Sequence, residues 1–176
     1  LATVDAPSGI MAVAGRPRGV KAPDPSADAV LLDGIQDPGN LGSILRSAAA
    51  AGFRQVLLSS DCARAWSPKT LRAAMGAHFS LDIHESGELA DFLSRYRGQS
   101  IVTAPEAAVD LFTARLGRQI AWIFGSEGQG VRPALSALAG DRVRIPMPGG
   151  AESLNVGAAA AGCLFETVRR RQKTEG

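Results

Sequence analysis

The stretch Ala29–Ser59, AVLLDGIQDPGNLGSILRSAAAAGFRQVLLS, decides the fold class. Ala29–Asp33 is a continuous apolar run of strand length, the pattern of a strand buried on both faces of a parallel sheet. Asp37-Pro38-Gly39-Asn40 is turn chemistry. Leu41–Ala51 is helical, with Leu41, Ile44 and Leu45 on one face and Ala48 continuing it. Gln55–Ser59 is the next buried strand. Strand, loop, helix and strand make a βαβ crossover, which joins parallel strands.

The same alternation runs to the end of the chain. Ser67 caps a short helix that starts at Pro68 and reaches about Met75. Ser80–His84 reads as a short strand, Gly87–Tyr96 as an amphipathic helix and Ser100–Ala104 as a strand. Glu106–Arg118 has no clear period and is expected to be mostly loop, with Val109, Leu111 and Phe112 covering the sheet. Ile120–Phe124, IAWIF, is the most apolar strand. A short helix over Arg132–Leu138, a strand over Arg142–Ile145 and a long small-residue helix from Val156 to about Arg171 follow. Ahead of this unit, residues 1–28 read as a linker with an edge strand at Ile10–Ala14. The expected architecture is α/β, a mainly parallel sheet flanked by helices over 29–176.

Composition narrows the function classes. The chain has 176 residues, enough for one domain with a full core, and a net charge of +2, which excludes a polybasic tail. Of its cations only Lys21, Lys69 and Lys173 are lysines; arginine favours bidentate contact with phosphate. Cys62 and Cys163 stand far apart without a CxxC motif, so no zinc site is expected and both are read as reduced thiols. No apolar run reaches the roughly 18 residues of a membrane span, and there is no signal-peptide pattern, so a cytoplasmic protein is expected. The first residue is Leu1, which suggests a fragment whose N-terminal part is absent.

Three polar loops follow strands: Asp33–Arg46, Ile123–Gly130 and Ile145–Gly157. Ligands of open parallel sheets bind at the carboxyl ends of strands, so the three are expected at one rim. GSEGQG at 125–130 fits neither GxGxxG nor a P-loop, and its glycines suit a close backbone approach to a bulky ligand. Arg46, among small and apolar neighbours, reads as an anion binder or as a rim residue reaching for solvent. Asn40 alone reads as a helix cap, and Ser153 as the N-cap of the last helix. A Ser/His/Asp hydrolase needs His78 or His84 to reach Ser153, and GxSxG is absent.

Taken together, DGIQDPGNLGSILRSAAAAGF, IFGSEGQGV and RIPMPGGAESLNVGAAAAGCLFE resemble the three successive motifs of the SpoU-type (TrmH-like) RNA 2′-O-ribose methyltransferases of the SPOUT superfamily. The resemblance covers about Ala29 to Arg170. It implies an α/β sheet with a C-terminal trefoil knot, a homodimer, and S-adenosyl-L-methionine bound in the knot. It also implies an RNA-binding domain ahead of the chain. Catalytic positions fall on Asn40, Arg46, Glu127, Ser153 and Asn155. Cofactor contacts fall on Thr103 and Ala104, on Phe124 and Gly125, on Ile145 and Met147, and on Ser153 and Leu154. No metal is implied. Ribosomal RNA is the expected substrate and tRNA the second choice, with Arg16, Arg18, Arg54, Arg64 and Arg72 as candidate backbone contacts. The rivals are a cofactor-binding RNA module without catalysis and a nicotinamide-dependent dehydrogenase with a degenerate glycine loop.

Overall fold

The computed structural model describes Gly15, residues 21–85 and residues 87–175. The expected edge strand at Ile10–Ala14, and Arg16 and Arg18, lie outside the described residues. The part of the expected linker that is described, 21–28, carries no helix or strand.

Among the described residues seven strands form one sheet: β1 (Ala29–Asp33), β2 (Gln55–Leu58), β3 (Asp82–His84), β4 (Gln99–Thr103), β5 (Val109–Asp110), β6 (Ile120–Gly125) and β7 (Asp141–Arg144). Their order is β3-β2-β1-β6-β4-β7-β5, and every pairing is parallel. The βαβ reading of Ala29–Ser59 is therefore right. The chain moves outward from β1 through β2 to β3 and then crosses to the other side of β1. That reversal is the switch point where an open α/β sheet leaves a crevice between diverging loops.

Among the described residues five α-helices cover the sheet: α1 (Pro38–Ala50), α2 (Pro68–Ala74), α3 (Leu89–Arg95), α4 (Pro133–Ser136) and α5 (Val156–Glu175). Strand side chains alternate between faces and sort the core into two layers. Val30, Leu32, Val56, Leu58, Trp122 and Phe124 pack with α1, α2 and α5. Leu31, Leu57 and Ile123 pack with Leu89, Phe92 and Leu93 of α3 and Leu135 of α4. In α1 the predicted face is the buried one: Leu41, Ile44, Leu45 and Ala48. Asp37 caps α1 by accepting from the Asn40 backbone N–H at 2.7 Å, so Asn40 itself is not the cap. Ser67 caps α2 through the Thr70 N–H, as expected. The α1–α2 contact requires Gly42: a Cβ there would stand 2.4 Å from the Ala73 Cβ and 2.7 Å from the Thr70 carbonyl oxygen.

Residues 106–118 are mostly loop, as expected, with one short strand, and the expected covering of the sheet holds only in part. Val109–Asp110 is a strand, pairing with β7 at the sheet edge. Of the three residues expected to cover the sheet, only Leu111 is buried, while Val109 and Phe112 are exposed. A two-residue edge strand has no room for a period, so nothing in its residue pattern marks it. Among the described residues no helix is long and apolar enough to cross a membrane.

The C-terminal helix is bound to the sheet by polar contacts as well as packing. The buried Trp122 indole N–H donates to Thr167 Oγ1 at 3.0 Å. Arg171 makes a two-pronged pair with Asp28, at 2.7 and 2.8 Å, just ahead of β1. The Glu166 side chain is only 5% exposed and accepts from Arg169 and Arg170. The Arg169 hydrogen bonds, opposed by burial and helped by Arg170, hold its carboxyl well below the ordinary 4.5, at about 2. A depressed folded-state value stabilises the fold above the unfolded-state value and is lost as pH falls through the folded one. The melting-temperature gap between wild type and Glu166→Gln is therefore expected to be constant above pH 4.5 and to shrink towards pH 2. Thermal unfolding across that range checks it, and a gap independent of pH contradicts it.

Candidate active site

The loops after β1, β6 and β7 meet at the carboxyl rim of the sheet, and three side chains join them. The N-cap of α5 is Asn155, not Ser153: its Oδ1 accepts from the N–H groups of Gly157 at 3.0 Å and Ala158 at 3.2 Å. A helix start leaves its first N–H groups without carbonyl partners, and only the oxygen of a carboxamide can serve them. That fixes the rotation of the Asn155 amide, so Nδ2 must face the other loops. It donates to Asn40 Oδ1 at 2.9 Å and to Glu127 Oε1 at 2.8 Å. The Asn40 amide then presents its own Nδ2 to the same Glu127 oxygen at 2.9 Å. Each contact spans a different pair of loops.

The 125–131 loop folds back on its own beginning. The Gly130 N–H donates to the Ser126 carbonyl at 2.8 Å, and the two residues form an isolated bridge. A Cβ on Gly125 would lie 2.0 Å from the Gly130 carbonyl carbon and 2.1 Å from the Val131 nitrogen. No side chain fits there, so the glycine serves a close backbone approach within the loop. The folded loop stands as a partition with a cavity on each side.

The first cavity, ≈ 400 Å³, lies between β4, β6 and β7. Of the eight expected cofactor contacts, Thr103, Ala104, Gly125, Ile145, Met147, Ser153 and Leu154 line it. Phe124 does not. Its ring is fully buried in the core, stacked at 6.1 Å on Trp122, because alternation along β6 turns it to the α1–α5 face. The cavity walls are backbone and apolar groups with few charges, and its size is that of small-molecule sites. Exposed Leu154 gives it an apolar rim.

The second cavity, ≈ 440 Å³, lies at the switch point between the β1 and β6 loops and is more polar. Asn40, Glu127, Asp37 and Asp61 border it. Its floor is an ion pair that the residue pattern did not reveal. Asp33 is almost fully buried at the end of β1; it accepts from the Arg132 backbone N–H at 2.8 Å and pairs with the Arg132 guanidinium at 2.5 Å. The Asp33 hydrogen bond and charge hold the Arg132 pKa above the usual arginine value. The signal was an acid closing an apolar strand, since a buried carboxylate demands a cation. Asp61 beside it is held below the ordinary carboxylate value, first by the hydrogen bond from Ser59.

Arg46 is not brought to this cluster. It is exposed on α1, lines neither cavity, and no ion pair among the described residues involves it. The other four catalytic candidates, Asn40, Glu127, Ser153 and Asn155, stand at the rim. Neither histidine reaches Ser153. His78 is buried, with Nε2 donating to the Ala65 carbonyl at 2.8 Å, and His84 sits on β3. A Ser/His/Asp site is thereby excluded. No group of His, Cys, Asp and Glu among the described residues is arranged to hold a metal ion.

Comparison with known proteins gives consistent matches. An uncharacterized tRNA/rRNA methyltransferase of Synechocystis is 37% identical over 170 residues, covering 94% of this chain and 62% of that protein. The 23S rRNA (guanosine-2′-O-)-methyltransferase RlmB of Vibrio vulnificus is 37% identical over 145 residues, 81% of this chain and 59% of its own length. The crystal structure of an AdoMet-bound rRNA methyltransferase from Sinorhizobium meliloti superposes with a TM-score of 0.75 at 35% identity, over 82% of this chain and 56% of that one. The chain thus spans about three fifths of the length of these relatives. The model of the SpoU rRNA Methylase family matches residues 28–165, the whole sheet and all three loops, and the chain belongs to that family.

Proposed function

We propose that residues 29–176 form the catalytic domain of an enzyme that transfers a methyl group from S-adenosyl-L-methionine to a ribose 2′-hydroxyl of RNA in the cytoplasm. Ribosomal RNA is the favoured substrate and tRNA the second, and a separate RNA-binding domain precedes the chain in the complete protein. The observation that carries this reading is the Asn40–Glu127–Asn155 cluster, whose Glu127 borders a largely apolar cavity of cofactor size. Family membership and the names of the two sequence relatives support it.

The cavity suits the cofactor chemically. Ile145, Met147 and Leu154 offer apolar surface, Thr103 and Ser153 offer hydroxyls, and the turns after β4 and β6 offer backbone groups. S-adenosyl-L-methionine, when bound, supplies an electrophilic methyl on a sulfonium sulfur. The chain's part is to desolvate and orient. Glu127, holding both asparagine amides through one oxygen, fixes the partition between the two cavities. The acceptor ribose enters from the second cavity, which Asn40 borders and which shares Glu127 with the first. A ribose hydroxyl is a weak nucleophile, and a guanidinium near it stabilises the alkoxide that develops as its proton leaves to water. Arg46 fills that role as a charge stabiliser; a side chain with a pKa above about 12 is unsuited to act as the base.

The position of Arg46 supports a homodimer. It stands on the outer strip of α1, apart from its own chain's rim cluster and without an ion-pair partner among the described residues, so the site it serves is the one on a second copy. Continuation of the chain from the β7 loop into α5, past the loops after β4 and β6, supports the trefoil knot that the resemblance implies.

Two outcomes follow. Incubated with tritiated S-adenosyl-L-methionine and transcribed 23S rRNA, the protein is expected to yield 2′-O-methylnucleosides, scored by mass spectrometry of the digest. Arg46→Ala is expected to slow this by about 10²–10³-fold while cofactor affinity and dimer mass stay unchanged. Full activity in Arg46→Ala sinks its role, and cofactor binding without any methylation leaves an inactive RNA-binding module. Secondly, Asn155→Asp keeps an oxygen that caps α5 but replaces the Nδ2 donor with a second carboxylate oxygen facing Glu127, and is expected to melt below wild type at pH 7. Equal melting temperatures of Asn155→Asp and wild type contradict the cluster.

A further inference from the structure

The first cavity carries a charge that the rim cluster does not use. Only two of its lining side chains are charged, Glu106 and Glu127, and both are acids. Glu127 is committed: its Oε1 accepts from the Asn40 and Asn155 amides and so holds the partition. Glu106 is not. It is exposed, and among the described residues no hydrogen bond or ion pair involves it. Arg142 reaches the Ser136 carbonyl at 3.5 Å, beside the cavity, but does not line it.

The turn after β4 fixes where Glu106 stands. The Ala104 N–H donates to the Val143 carbonyl at 2.9 Å, which ties the end of β4 to β7. The Ala107 N–H then closes onto the Ala104 carbonyl at 3.1 Å, and Ala107 is buried. Pro105 and Glu106 are the two corner residues of that turn, with proline setting the first corner. An unpartnered carboxylate is ordinary on an open surface. This one borders a cavity whose other walls, Glu127 apart, are apolar, backbone or neutral polar groups. Low-dielectric walls lined by one sign of charge focus its field. The cavity therefore favours a cation and disfavours an anion such as a phosphate.

The cofactor and its product differ in that property. S-adenosyl-L-methionine carries a sulfonium, an ammonium and a carboxylate, a net positive charge. Transfer breaks the bond from sulfur to methyl, leaves the electron pair on sulfur and gives the methyl to the ribose oxygen, whose proton passes to water. S-adenosyl-L-homocysteine, the thioether that remains, has no net charge. We infer that Glu106 is a cofactor-binding residue whose charge biases the first cavity towards the sulfonium cofactor and against the neutral product. The inference rests on the reading of that cavity as the cofactor site. Glu106 takes no part in the transfer itself. Its attraction is lost when the charge is, so the product leaves more readily than the cofactor.

The test is calorimetric titration of wild type, Glu106→Gln and Glu106→Lys with S-adenosyl-L-methionine and with S-adenosyl-L-homocysteine, in low salt. Glu106 has no hydrogen bond to lose, so melting temperatures are expected to match wild type. Glu106→Gln is expected to shift the ratio of the two dissociation constants against the cofactor by roughly three- to tenfold, the effect of one charge at a half-open site. Glu106→Lys shifts it further in the same direction, and added salt shrinks both shifts. A ratio unchanged in both variants overturns the inference. Equal weakening of both ligands also overturns it and assigns Glu106 to a group that cofactor and product share. Wild type that binds neither ligand sinks the reading of the cavity as a cofactor site, and the inference with it.

Discussion

The rim of this protein depends on the orientation of one carboxamide. Asn155 must turn its oxygen towards α5, because the first N–H groups of that helix have no other acceptor. Its two amide hydrogens are then committed to Asn40, 115 residues earlier, and to Glu127, 28 residues earlier. Both partners follow: Asn40 can satisfy its own oxygen and nitrogen only by facing Asn155 and Glu127 together. The start of α5, the turn into α1 and the glycine partition are thus referred to a common point. Without the cap the Asn155 amide would be free to rotate, and the two cavities would lose their shared edge.

The opposite rim is built differently. Asp28 accepts from the Ile120 N–H at 2.8 Å and pairs with Arg171, whose guanidinium also lies over the Phe53 ring and donates to the Arg118 carbonyl. These contacts tie the entrance of β1 to the end of α5. Polar groups there are spent on holding the chain. At the carboxyl rim they converge on open space, with Glu127, Ser153 and Asn155 exposed. That asymmetry, from ordinary parallel-sheet geometry, separates the stabilising end of the molecule from the end that can do chemistry.

Much of this was legible in the residue pattern, for physical reasons. Buried parallel strands announce themselves as apolar runs, so β1, β2 and β6 were plain, and Ser67-Pro68 marked a helix start. Polar loops after strands pointed to one shared rim, where the structure brings them together, and of the five positions named by the motif resemblance, Asn40, Arg46, Glu127, Ser153 and Asn155, three are hydrogen-bonded to one another there. What failed was chemistry that only contacts decide. Ser153 and Asn155 are both good caps, and two residues of offset along the chain separate them. The motif resemblance put Phe124 among the cofactor contacts, although strand alternation sends its ring the other way. The Asp33–Arg132 pair joins residues far apart in the chain.

The most direct measurement is a double-mutant cycle on cofactor affinity, using Asn40→Ala, Asn155→Ala and the double variant in calorimetric titrations with S-adenosyl-L-methionine. If the two amides act as one unit through Glu127, the second substitution costs far less than the first, with a coupling of about 0.5–3 kcal/mol. Independent, additive losses would show that the three loops are held by packing alone, and that the cluster does not organise the site.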